Sequence, residues 1–299
     1  MVLDVKSLVY GRNFEVTGLG GRVTIDPRRI AAEKIAGKLG ADGSVALDAE
    51  ARFSAGETQP YTSKLDLVLR EFEVGPLFKA LSPDNPPTIE GRFNVRSQTV
   101  GAGRSLADLI EHTRGDFVLQ SRKGVSRLLQ QQATQLSRTA RIVGGVTSIL
   151  GGLGVVNPDK AENIARGSDL AVELGNLLAE LPYDQLNVRL SRDESLNVKL
   201  SDFSLVSPLV RLHGDGLVSY DRSRGLFDQA LQVRMNMGVM GAVETALAKA
   251  KSPLLSGERD ELGYMKLSEP FAVTGSLAKP DPSQLYSLLG RSVLDRLLR

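Results

Sequence analysis

The strongest constraint on the fold is a period-two alternation of apolar and polar residues. In residues 44–54 its apolar positions are Val45, Leu47, Ala49, Ala51 and Phe53. The same pattern returns in residues 88–98 and four times between residues 186 and 237. Such alternation is typical of antiparallel strands with one wet face and one apolar face. It predicts a mainly β (α+β) fold built on long antiparallel strands.

The middle of the chain follows a helical spacing instead. From Val125 to Leu150 apolar residues recur every three or four positions, and a second helical pattern runs through Ile164 to Leu181. We therefore expect a helical insertion over residues 122–181 between an N-terminal sheet portion, 1–121, and a C-terminal sheet portion, 182–299. A C-terminal helix is predicted to begin at Asp281-Pro282. The Gly-rich run 143–156 either packs against the sheet or contacts a membrane or an acyl chain.

The composition argues against several classes of chemistry. The chain has no cysteine, which excludes disulfides, thiolate metal sites and cysteine nucleophiles. The 37 Lys and Arg nearly balance 35 Asp and Glu, and Trp is absent, so a nucleic-acid partner is not expected. His112 and His213 stand in no metal-binding or catalytic motif, and nucleophile elbows and phosphate-binding loops are missing. The sequence predicts no catalytic residue, no metal and no cofactor, hence no enzyme.

The apolar faces of the strands are the remaining candidates for function. An apolar sheet face has to be covered by helices, by another sheet or by an apolar ligand. Alternation in the C-terminal half selects a candidate lining for such a ligand: Leu186, Val188, Leu190, Leu196, Val198, Leu200, Val210, Leu212, Leu231 and Val233. The same positions fit the core of a closed sandwich or barrel, and periodicity alone does not separate the two.

Three segments carry a family resemblance. Residues 195–235 contain a Ser207-Pro208-Leu209 step, then Gly214 and Gly216, then Leu226, Asp228, Leu231 and Val233. Residues 105–125 place a short helix before Gly115, Phe117, Leu119 and Gly124, and residues 271–285 contain Gly275, Leu277 and Pro280. Together they resemble the C-terminal region of the AsmA-like family, of the AsmA/TamB type, over residues 85 to 297.

That resemblance implies a long, curved sheet folded into an open apolar groove. Family members are anchored in the inner membrane, project into the periplasm and support phospholipid transport or outer-membrane integrity. We therefore expect a non-catalytic protein of the bacterial cell envelope whose partner is a phospholipid or another acyl-chain lipid. The alternative is a periplasmic scaffold or assembly factor that binds other envelope proteins. Because the chain begins abruptly within a strand pattern, without an export signal, we expect a membrane anchor outside it.

Overall fold

A computed structural model describes residues 1–10, 14–76, 89–127, 172–225, 228–249, 252–276 and 279–285, and the single positions 130, 169, 287 and 288. The fold is mostly antiparallel β with a few short helices, which confirms the predicted fold class. Alternating β-branched and leucine side chains suit a pleated sheet because successive residues point to opposite faces.

The described part of the chain forms fifteen strands in one sheet. In chain order they are β1 (Val2–Tyr10), β2 (Phe14–Asp26), β3 (Arg29–Leu39), β4 (Gly43–Phe53), β5 (Tyr61–Glu73), β6 (Ile89–Gly103), β7 (Arg114–Ser126), β8 (Leu181–Arg192), β9 (Val198–Val206), β10 (Val210–Ser219), β11 (Ala230–Val239), β12 (Leu255–Arg259), β13 (Met265–Leu267), β14 (Phe271–Gly275) and β15 (Pro280–Asp281).

The sheet is a meander over most of its length. Strands β1 to β11 lie beside their chain neighbours in unbroken order. The order changes only after β11, which pairs with both β13 and β14, while β12 lies beyond β13 and β15 pairs with β14. Short turns connect most of these strands, as expected for antiparallel hairpins.

The helices are short in the part of the chain that the structure describes. They include α1 (Leu106–Glu111), α2 over residues 172–179 and α3 (Gly241–Lys249), and residues 74–76 are helical as well. The hydroxyl of Ser105 accepts a hydrogen bond from the amide of Asp108, so that Ser105 caps the N-terminus of α1. Most of the predicted insertion, including the Gly-rich run, lies outside the described residues. Of the predicted C-terminal helix, residues 283–285 and 287–288 are helical.

The chain divides into two compact units. Unit 1 comprises Met1–Gly124, Gln185–Phe203 and Asp215–Ala230, and unit 2 comprises Val125–Asp184, Ser204–Gly214 and Leu231–Arg299. The buried side chains of unit 2 include Leu178, Leu205, Val210, Val239 and Leu247, which are almost fully removed from solvent. In unit 1 many apolar side chains of β2 to β5 stay half-exposed, and these carry the candidate site.

Candidate functional site

One face of strands β2 to β5 presents contiguous apolar side chains in unit 1. The strand register aligns Ile35 with Leu47, Leu47 with Leu67, and Leu67 with Ser97. The next row aligns Ala32, Ala49 and Leu65. We call this surface the apolar face; its members are Leu19, Val23, Ala32, Ile35, Val45, Leu47, Ala49, Leu65, Leu67 and Leu69.

Local bulges keep the apolar face continuous. Lys34 has a φ of 52° where the β3–β4 register shifts, and Glu71 has a φ of 48° where the β5–β6 register shifts. Each bulge adds one residue, so that Ala32 and Ile35 keep to the same face although three positions separate them. The extra amide of Lys34 donates to Asp48 Oδ1 at 2.8 Å. The polar face thus supplies the hydrogen-bond acceptor that the bulge requires.

Burial changes along the strands. At one end Val16, Leu39 and Phe72 form a packed cluster in which Phe14 meets Phe72 edge to face, with ring centroids 5.9 Å apart. In the middle, Leu47 and most of its neighbours on the apolar face are only half-buried. At the other end Ile25 and Ile30 are 71% and 56% exposed. The apolar face is therefore sealed at one end and open to solvent at the other.

Helix α1 packs on the neighbouring strand β6 near the open end. Gly101 and Gly103 leave space there, because a Cβ on Gly103 would lie 2.7 Å from the carbonyl carbon of Asp108. Leu109 is the buried residue of α1, while Leu106 and Ile110 are exposed. The helix thus covers the β6 side of the surface and also contacts β5.

The opposite face of the same strands is charged. Glu50 on β4 accepts hydrogen bonds from Arg52, at 3.0 Å, and from Arg29, which also pairs with Glu33 at 2.7 Å. The bonds from Arg52 and then Arg29 hold the pKa of Glu50 below its usual value. This network keeps one face hydrated, so that the two faces differ sharply in polarity.

The predicted lining residues lie in a different part of the sheet. In unit 1, Leu186 and Leu200 are buried and Val188, Leu190 and Val198 are half-buried. Leu196 precedes β9 and lies in a turn with a φ of 63°, because its amide closes that turn onto the carbonyl of Asp193. In unit 2, Val210, Leu212 and Val233 are buried and Leu231 is half-buried. Their place in an open groove stays a prediction.

Sequence reasoning identified the alternation in β4 but did not include it in the candidate site. Val45, Leu47 and Ala49 show the same period-two pattern as Leu186, Val188 and Leu190. The sequence signal that separates the apolar face from the predicted lining residues is weak. It consists of small residues such as Ala32 and Ala49, whose short side chains leave a local depression in the apolar face. Exposure depends on what packs above a strand, and that is a nonlocal property.

A polar cluster on α1 has a structural explanation. Ligand-type atoms of Asp108, Glu111 and His112 lie within 4.8 Å of one another. Asp108 accepts the amide of Arg104 at 2.6 Å and contacts His112 Nδ1 at 2.9 Å, while Glu111 accepts the Tyr220 hydroxyl. The hydrogen bond from the Arg104 amide is the main cause that holds the pKa of Asp108 below its usual value. These groups satisfy one another as caps and ion pairs.

A pocket of about 370 Å³ lies beside this cluster in unit 1. It is lined by Gln59, Val100, Gly101, Ala102, His112, Arg114, Glu194 and Leu196. Arg114 and Glu194 pair with each other across it. The second histidine of the chain, His213, is exposed on β10. The mixed polar lining provides neither a nucleophile–base pair nor a convergent set of donors for a charged substrate.

Comparison of the chain with models of known protein families, with curated proteins and with solved structures finds no match. Among the described residues, no helix is both long enough and apolar enough to cross a bilayer.

Proposed function

We propose that the protein binds lipid acyl chains on the apolar face of β2 to β5 and performs no chemistry on them. The observation that supports this function is a contiguous set of aliphatic side chains, such as Leu47, Leu65 and Leu67, that stay partly exposed on one face of the sheet. Monomeric proteins rarely leave large contiguous apolar surfaces to water unless the surfaces bind something.

The chemistry of the apolar face suits acyl chains. Its side chains are aliphatic, and acyl chains need apolar contact without directional hydrogen bonds. Neighbouring strands lie about 4.8 Å apart, so four strands provide a floor about 15 Å wide. Small residues at Ala32 and Ala49 lower that floor between the bulkier side chains of Ile35 and Leu65. An extended hydrocarbon chain fits such a surface.

The cellular setting that we propose is the bacterial envelope. The family resemblance of residues 85 to 297 supports a periplasmic protein, tethered to the inner membrane by a segment outside this chain, that takes part in phospholipid transport or outer-membrane integrity. The packed end at Val16, Leu39 and Phe72 and the open end at Ile25 and Ile30 support a lipid that enters from one side.

Site-specific photocrosslinking tests the proposal directly. A photoreactive phenylalanine derivative replaces Leu47 or Leu67 on the apolar face, and Ala46 or Val68 serves as the matched control one residue away on the opposite face. After irradiation in cells, the purified protein is examined by mass spectrometry for lipid adducts. We expect adducts at positions 47 and 67 and none at 46 and 68. Equal labelling at all four positions, or none, contradicts the proposal.

A charge substitution gives a second measure. Leu47→Asp places a carboxylate on the half-exposed apolar face, where water can keep it hydrated, so that folding survives and co-purified lipid falls about tenfold or more. Ala46→Asp adds the same charge to the opposite face and should retain lipid. Circular dichroism verifies that both variants fold. Normal lipid content in a folded Leu47→Asp variant would falsify binding at this position.

The open edge of the sheet favours a second candidate, a scaffold for other envelope proteins. Among the described strands, β1 has a neighbour on one side only, and Val2, Leu8 and Val9 on it are exposed. An extended segment of another protein can pair with such an edge through main-chain hydrogen bonds. The amide of Asp4 points away from β2, because Met1 and Val23 exchange hydrogen bonds and such pairs alternate along the strands. A protein that co-purifies with the chain and is lost in an Asp4→Pro variant, with no lipid adducts at Leu47, would favour this function.

A further inference from the structure

Exposed aliphatic and aromatic side chains collect at one end of the strands of unit 1. Ile25 and Ile30, 71% and 56% exposed, flank the β2–β3 turn, and Phe53, 36% exposed, ends β4. Leu106 and Ile110, one helical turn apart on α1, are 61% and 73% exposed. We call these five residues the rim.

The strand register places the rim at a single end. Asp26 pairs with Arg29 across the first turn, and the amide of Phe53 donates to the carbonyl of Arg28 at 2.7 Å, which joins the β2–β3 turn to the end of β4. Phe53 pairs with Tyr61, and Tyr61 pairs with Gly103, two residues before the Ser105 cap of α1. The rim therefore follows adjacent strand ends from β2 to β6.

Arginine side chains stand between the apolar residues of the rim. Within the part of the chain that the structure describes, the guanidinium groups of Arg28 and Arg104 have no carboxylate within 4.0 Å, whereas Arg29 and Arg52 share Glu50. Arg28 and Arg104 are both exposed. Their charges are thus available to an anionic partner.

We propose that the rim docks on the surface of an anionic phospholipid bilayer. Apolar side chains interleaved with arginine match the boundary between acyl chains and phosphate headgroups, where the former enter the acyl region and the latter contact phosphate. The same end is where the apolar face opens: Ile25 and Ile30 pair with each other, two residues from Val23 and Ala32. A lipid therefore passes from the bilayer onto the apolar face without crossing water.

The inference extends the proposed function. It rests on that function for one part, the lipid that the apolar face receives. Docking itself depends on the rim alone, while loading depends on residues such as Leu47 and Leu67. Vesicle binding and lipid content are consequently separate measurements, and either can fail without the other.

Flotation with lipid vesicles tests the docking. The probes are vesicles of phosphatidylethanolamine with phosphatidylglycerol, and vesicles of phosphatidylcholine alone. We expect the chain to float with the anionic vesicles and much less with the neutral ones. Ile25→Ser with Ile30→Ser should weaken binding about tenfold or more. Leu8→Ser with Val9→Ser removes two exposed apolar side chains at the end of β1 that is far from the rim. This variant should leave vesicle binding unchanged.

The arginines need a matched control of equal charge. Arg28→Gln with Arg104→Gln should lower anionic binding and weaken its dependence on salt. Arg70→Gln with Arg96→Gln removes the same charge from positions on β5 and β6 that lie away from the rim, and should have little effect. Retained lipid content in the rim variants supports docking as a step distinct from loading.

Three outcomes overturn the inference. The first is that the unaltered chain floats with neither kind of vesicle. The second is that the rim variants and the control variants lose vesicle binding equally. The third is a dimer in solution that the Ile25→Ser with Ile30→Ser variant abolishes. The last outcome assigns the rim to contact between copies of the chain. Normal flotation by a protein without bound lipid supports docking and counts instead against the proposed function.

Discussion

Arg211 and Asp260 form an ion pair in unit 2 that is largely withdrawn from solvent. Their side chains are 18% and 9% exposed, and Arg211 Nη1 donates to Asp260 Oδ2 at 2.8 Å. The other carboxylate oxygen accepts the amides of Leu262 and Tyr264, each at 2.9 Å. Burial alone would raise the pKa of Asp260, but the bonds from Arg211 and these amides hold it below its ordinary value. This carboxylate fixes the turn between β12 and β13.

The depressed pKa of Asp260 predicts acid sensitivity in unit 2. The unfolded chain takes up a proton near the ordinary aspartate pKa of about 4 while the folded chain stays ionised, so stability falls as the pH drops from there through the folded pKa. Asp260→Asn should cost about 2 kcal/mol at pH 7, the scale of a hydrogen bond to a charged group, and reduce the acid dependence. Urea unfolding at a series of pH values measures both effects.

Glu261 is the control for this prediction. It also pairs with Arg211, at 2.6 Å, but its side chain is 71% exposed. Glu261→Gln should therefore change stability and its acid dependence much less. Equal effects from the two substitutions would show that burial of Asp260 does not decide the strength of the pair.

The position of helix α1 depends on two residues of strand β6 that have no side chain. Gly101 and Gly103 are buried beneath it, and Leu109 rests against them. The Ser105 cap and the bond from the Arg104 amide to Asp108 fix where the helix begins. The close approach of helix to strand therefore depends on the absence of side chains on β6.

A methyl group on Gly103 should displace α1. Its carbon would lie 2.7 Å from the carbonyl carbon of Asp108, a backbone atom that moves only with the helix. We expect Gly103→Ala to lower the free energy of unfolding by about 1–3 kcal/mol, the usual cost of overpacking. Gly75→Ala is the control, since nothing lies within 4 Å of the position its Cβ would take. Chemical denaturation compares the two, and equal stability contradicts tight packing under α1.

The sequence predicts strands better than it predicts their irregularities. The alternation of Val45, Leu47 and Ala49 predicts β4 correctly because side-chain direction in a strand is a local property. The bulges at Lys34 and Glu71 were not predicted, since neither residue is a glycine and their positive φ depends on pairing with the next strand. Leu196 was placed in a strand for the same reason: its turn is closed by contacts that alternation does not encode.

The candidate site was the harder part to predict. Leu47 and Leu212 follow the same sequence pattern, yet Leu47 is half-buried and Leu212 is buried. The difference lies in what covers each face, which involves residues far away in the chain. A single-sequence pattern therefore identifies apolar faces but does not distinguish a covered face from an open one.

At the scale of the whole molecule, the described strands follow a path that has two ends. The path begins at β1 and ends at β12. Strand β12 is short and mostly exposed, with Glu258 and Arg259 at its end, whereas β1 is longer and carries apolar residues around Asp4 and Lys6. Charges within an edge strand discourage uncontrolled pairing. The longer edge at β1 is nevertheless the one suited to a partner strand.

Hydrogen exchange should distinguish β1 from the interior strands. Amides of β4 bond to β3 or β5 on either side, while alternate amides of β1 point away from β2. We expect those alternate amides to exchange rapidly and the amides from Val45 to Ala51 to exchange slowly. Exchange at several protein concentrations is the control. Uniform protection along β1 would mean that another strand covers this edge in solution.

The sequential strand order has a consequence for how the chain acquires its fold. Each strand from β2 to β11 pairs with the strand made just before it, so most contacts are local in sequence and favour rapid folding. An emerging chain can add one hairpin arm at a time to an edge that is already formed. This order of strand addition stops at β11, because its partner residue Met265 is synthesised only after α3 and β12. Until then β11 pairs only with β10 and its other side is a growing edge. The segment that follows β11 therefore completes the sheet in the last step of assembly.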